Sequence, residues 1–118
     1  MSGAKLNNFG LSNSEGTIDL HYSRDDDGKS SLISGGDIIN GASFRTVTAN
    51  VTTGDKYCQD NAIPSIDLLK VDVEGAEHLV LEGFIGSFER GIISSVQFEF
   101  GIINIYSKFL LKDFWHFF

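Results

Sequence analysis

A chain of 118 residues with 42% hydrophobic content has room for one core, and its 9 Lys and Arg against 16 Asp and Glu give a formal charge of -7. A surface with that balance repels phosphate backbones and anionic lipid, so nucleic acid is excluded as an expected partner. The single Cys58 has no internal disulfide partner; with no basic-plus-apolar leader and no long apolar span, a cytoplasmic chain without a membrane partner is expected.

Over 17–22, Ile18, Leu20 and Tyr22 alternate with polar neighbours, which predicts a half-buried strand. Arg24, Lys29, Ser30, Ser31, Gly35 and Gly36 mark turn and loop composition. The run Asp25, Asp26, Asp27 lacks the pattern of a calcium loop and reads as solvated surface. Alternation resumes over 44–52, and this strand is expected to pair antiparallel with the first, giving a β-hairpin region over 17–52. Thr53 suits the N-cap of a short helix reaching Asp60. Gly54 just inside it weakens the helix start by roughly 0.5–1 kcal/mol relative to Ala.

After Pro64 the pattern becomes strand, helix, strand over 66–100. The apolar run 66–73 lacks strict polar alternation and is expected to be covered on both faces, as parallel strands are. Gly75 permits a tight exit, and Ala76, Leu79, Val80 and Gly83 fall at the i, i+3, i+4, i+7 positions of a helix over 76–84. A strand over 93–100 should return parallel to 66–73 through a crossover. From 107 onward, Phe109, Leu110, Phe114 and Phe117 approach helical spacing and predict an amphipathic helix packed on the sheet. Ligands of open α/β sheets lie beyond the carboxyl ends of the strands, which here means beside Asp72 and Glu74.

Asp67-Leu68-Leu69-Lys70-Val71-Asp72-Val73-Glu74-Gly75-Ala76-Glu77, followed by Val80-Leu81-Glu82-Gly83, resembles the signature of FkbM-type methyltransferases, which use S-adenosylmethionine. Leu11-Ser12-Asn13-Ser14-Glu15-Gly16, Val51-Thr52-Thr53-Gly54-Asp55 and Val96-Gln97-Phe98-Glu99-Phe100-Gly101 resemble flanking segments of the same family, in the same order. The resemblance implies an α/β fold, a partial Rossmann-like methyltransferase sheet with an inserted antiparallel hairpin. It also implies S-adenosylmethionine as cofactor and a small-molecule hydroxyl, on a sugar, lipid or polyketide-like metabolite, as acceptor. The glycine-rich turn with which such a domain begins has no counterpart here, so 1–118 reads as a single partial domain of a larger enzyme. On that reading the 66–73 strand exposes an unpaired apolar edge, and self-association through it is expected. The alternative is a non-catalytic α/β fragment or binding module.

Methyl transfer needs orientation of the acceptor and, for a hydroxyl, a base. Asp72, Glu74 and Glu99 are the candidate catalytic residues, with Asp72 also at the cofactor. Glu77 offers a further oxygen, and oxygen-rich sites suit a hard divalent ion, although no metal spacing is diagnostic. Glu74 and Glu77 are equally well placed to favour a helix N-terminus by charge alone, and Asp72 to cap that helix. Lys70 reads as structural, its ammonium reaching the strand end or pairing with Glu99. His21, His78 and His116 read as surface or packing residues, and Cys58 as a small buried hydrophobe.

Overall fold

The computed structural model describes residues 3–23, 30–31 and 44–118. The run Asp25, Asp26, Asp27 lies outside them. Alternation builds the first sheet: β1 (Gly10–Leu11), β2 (Gly16–Ser23), β3 (Ser30–Ser31) and β4 (Phe44–Thr52), ordered β1-β4-β2-β3. β2 and β4 pair antiparallel from Gly16↔Val51 to Ser23↔Phe44, as the two alternating stretches predict. That register sets Thr48 opposite Asp19 and Thr46 opposite His21. Thr48 Oγ1 donates to the Asp19 carboxylate at 2.8 Å, and Thr46 Oγ1 lies 3.2 Å from His21 Nδ1. β1 adds parallel to β4.

Thr53 caps α1 (Gly54–Asp60) by accepting from the Lys56 amide at 3.1 Å. Lys56 Nζ sits 2.9 Å from Asp60 one turn on, and this hydrogen-bonded carboxylate holds the lysine above its ordinary pKa of 10.5. Gly54 serves a different purpose from the one its helix propensity suggests. A Cβ there would stand 2.3 Å from the Phe84 ring, so the missing side chain is the space Phe84 occupies.

The second sheet pairs β5 (Leu69–Val71) parallel with β6 (Val96–Phe98), and a bridge between Ile66 and Ile93 continues the same register. The strands expected over 66–73 and 93–100 are thus interrupted, and burial on both faces is not found. Val71 is buried and Leu69 and Val73 half-buried, while Leu68, Lys70 and Asp72 are exposed. The reason lies in packing: the Val71 side meets a core of Cys58, Val80, Leu81, Phe84 and Phe114, flanked by Phe98 and Phe109. Phe114 stacks on Phe98 at 4.4 Å between centroids and meets Phe109 edge-on at 4.7 Å. Each such aromatic pair adds about 0.5–1.5 kcal/mol beyond the area it buries.

The helix expected over 76–84 or a little beyond forms as α2 (Glu77–Glu82), and in place of its extension a separate helix follows, α3 (Ile85–Glu89). Asp55 makes the break. Its amide donates to the Gly83 carbonyl at 2.8 Å, and its carboxylate accepts from the Gly86 and Ser87 amides at 2.7 and 2.6 Å. An uninterrupted helix would bond those two amides to Glu82 and Gly83; one residue of α1 instead satisfies both sides of the interruption. The Gly83 backbone also lies against the Ser12 carbonyl, 2.2 Å from where a Cβ would be. The terminal helix expected from 107 starts later, because a separate short helix ends there. α4 (Ile103–Ser107) ends at Lys108, whose φ is 59°, and α5 (Leu111–Phe117) begins after Leu110, whose amide donates to Asp113 Oδ2 at 2.7 Å. Phe114 is buried and Phe109 and Phe117 half-buried, so the apolar spacing survives the later start.

Candidate functional site at the carboxyl end of the parallel strands

β5 ends in a turn that the sequence makes unusual. Glu74 and Gly75 take positive φ values of 50° and 103°, and for the non-glycine residue this is a sparsely populated conformation. The turn is held from beneath by Glu77. The Glu77 carboxylate accepts from the Val73 amide at 3.2 Å and from the Gly75 amide at 3.1 and 3.2 Å, and the residue is 1% exposed. An inward-facing carboxylate with these donors is a structural acceptor, which replaces the expectation that Glu77 offers a ligand oxygen to the site.

A cleft of about 790 Å³ opens beside this turn, with Asp72, Val73, Glu74 and Ala76 on one side and Phe9, Gly10, Ile18, Leu20, Val47 and Asn50 of the hairpin sheet and its approach on the other. Its size falls in the range of small-molecule sites. Asp72 and Glu74 both line it; Glu99 does not. Glu99 still belongs to the same end of the sheet. Val71 pairs with Phe98, so Asp72 and Glu99 are the next residues in register, and both are exposed. Lys70 Nζ lies 3.8 Å from Asp72 Oδ2, so it pairs with Asp72 and not with Glu99. At side-chain exposures of 57% and 40% this pair contributes little stability.

His78 stacks on Phe109 at 4.8 Å with a buried Nδ1 that has no hydrogen-bond partner, and His116 Nδ1 lies 2.6 Å from the Lys112 carbonyl of its own helix. Neither lines the cleft. Cys58 is a buried thiol in the core. Among the described residues no three His, Cys, Asp or Glu side chains converge as metal ligands, and no helix is long and apolar enough to cross a membrane. The residue that sequence reasoning missed is Asn104, 1% exposed, whose Nδ2 donates to Glu77 Oε2 at 3.1 Å. No local pattern marks it, because its partner is 27 residues away.

A parallel strand pair, a carboxylate-bearing turn leading into a helix, and a ligand-sized cleft at that strand end together define an α/β protein with a candidate site at the carboxyl edge of the sheet. The family model of the Methyltransferase FkbM domain matches residues 2–117, and the chain belongs to that methyltransferase family. Comparison with curated proteins and with solved structures gave no match.

Proposed function

We propose that the cleft beside Asp72 serves S-adenosylmethionine-dependent methylation of a hydroxyl on a sugar, lipid or polyketide-like metabolite. The observation that carries this reading is the placement of the Asp72 and Glu74 turn on the wall of a ligand-sized cleft at the end of a parallel strand. The lining suits a nucleoside-like ligand: carboxylates accept from ribose hydroxyls, and Ile18, Leu20 and Leu79 offer apolar surface to a planar base. When bound, the cofactor supplies a methyl group on a positively charged sulfur. Asp72, exposed at the strand end, orients the acceptor hydroxyl and takes its proton. Glu74 adds negative charge on the same wall, and Glu99 on the neighbouring strand supports Asp72 from outside the cleft.

Calorimetric titration with S-adenosylhomocysteine tests the reading. Saturable binding that Asp72→Ala abolishes is the expected result. A chain shown to be folded by circular dichroism that binds none would overturn it in favour of a non-catalytic α/β module.

A further inference from the structure

Two buried polar residues behind the cleft connect the turns that follow both parallel strands. Glu77 accepts from the Val73 and Gly75 amides after β5, while Asn104 Oδ1 accepts from the Gly101 amide after β6 at 2.8 Å. The two side chains meet at 3.1 Å, Asn104 Nδ2 donating to Glu77 Oε2, and each residue is 1% exposed. The polarity of this bridge is determined by its ends. Gly101 N–H demands an acceptor, so the Asn104 oxygen faces it and the amide nitrogen faces Glu77, whose carboxylate presents only acceptors to its neighbours.

We propose that Glu77 and Asn104 are positioning residues that hold the turn carrying Asp72 and Glu74 in fixed relation to the strand end carrying Glu99; the inference rests on the methyl-transfer reading of that site. Burial explains why one bridge suffices. Away from water, a change at either residue removes the one contact that joins the two turns, and no solvent molecule of the bulk takes its place.

The direction of the bridge yields a reciprocal test. Glu77→Gln sets an amide nitrogen against the Asn104 amide nitrogen, and turning either amide only moves the donor conflict to the Gly101 or the Val73 and Gly75 amides. Asn104→Asp opposes two carboxylates in a buried place. The double change Glu77→Gln with Asn104→Asp restores the contact with donor and acceptor exchanged across it, keeps one oxygen of residue 77 to accept from the Val73 and Gly75 amides, and leaves the net charge as it was; the second Gly75 bond, to Oε2, is not regained. We would follow amide hydrogen exchange at Val73, Gly75 and Gly101, and S-adenosylhomocysteine affinity, in the wild type, both single variants and the double.

Each single variant is expected to speed exchange at both turns and weaken binding by about tenfold or more, with the double recovering most of both effects, because residues in one buried network are strongly coupled. Phe88→Leu, which loosens the core away from the cleft, should lower stability and leave affinity unchanged. Single variants whose effect stays at one turn, or a double variant no better than the singles, would overturn the bridge. Recovery of exchange without recovery of affinity would overturn its positioning role. A wild type that binds no S-adenosylhomocysteine removes the methyl-transfer reading, and the positioning role with it, while the exchange data still decide whether the bridge exists.

Discussion

Gly54→Ala separates helix propensity from packing, because the two give opposite signs. Propensity alone predicts stabilisation by roughly 0.5–1 kcal/mol, since alanine loses less backbone freedom than glycine inside a helix. The structure places the added Cβ 2.3 Å from both Cε2 and Cζ of Phe84 and 2.4 Å from Cδ2, against a ring that is 2% exposed. A buried ring has nowhere to swing, so it must push into Cys58, Val80 or Leu81, its neighbours in the core. Overpacking of this kind costs about 1–3 kcal/mol. After the propensity gain is subtracted, a net loss of about 1 kcal/mol is expected, within a range of roughly 0–2.5 kcal/mol. Urea denaturation followed by far-ultraviolet circular dichroism measures it. Phe84→Leu frees space at the same position, so the combined variant should lose about 1 kcal/mol less than the sum of the two single changes. A Gly54→Ala variant as stable as the wild type, or more so, would refute the argument.

Asp55→Ala removes the acceptor for the Gly86 and Ser87 amides and for the Ser87 hydroxyl, which is 2.5 Å away in a residue with 0% exposure. Loss of a helix cap together with a buried hydroxyl that keeps its Arg90 donor but loses its acceptor should destabilise the chain by about 2–3 kcal/mol, read by the same denaturation; a loss below about 0.5 kcal/mol would mean that solvent replaces the carboxylate. Among the described residues β5 has a strand neighbour on one side only, and Leu68 next to it is 56% exposed. Open strand edges invite pairing, so sedimentation velocity should show concentration-dependent self-association that Leu68→Lys reduces. A single sedimentation coefficient at all concentrations would contradict it.

The site is legible in the chain where its chemistry is local. Asp72 and Glu74 stand out because an apolar strand, a glycine and a helical pattern follow one another within a few residues, and the turn observed there has the positive φ that Gly75 announces. What holds the turn in place was not legible. Glu77 has the look of a helix-terminus acid exposed to solvent, and only Asn104, brought in by the short helix after β6, turns it into a buried hub. Glu99 illustrates the intermediate case: strand pairing brings it beside Asp72, yet the cleft wall passes it by.

By itself the sequence determined the elements whose cause lies within a few residues. Period-2 alternation made β2 and β4 and their antiparallel pairing, Thr53 started α1, and apolar spacing placed Phe114 in the core. Tertiary structure decided what depends on atoms from distant parts of the chain. Asp55, 31 residues from Gly86, separates α3 from the helix that the periodicity of 76–84 favours; the Phe84 ring turns Gly54 from a weak helix residue into a required gap; and one-sided packing leaves the apolar run 66–73 half exposed. In each case an amide, a ring or an absent covering layer competes with a local preference worth about 1 kcal/mol or less per residue, and such preferences yield to packing and to buried hydrogen bonds of greater worth.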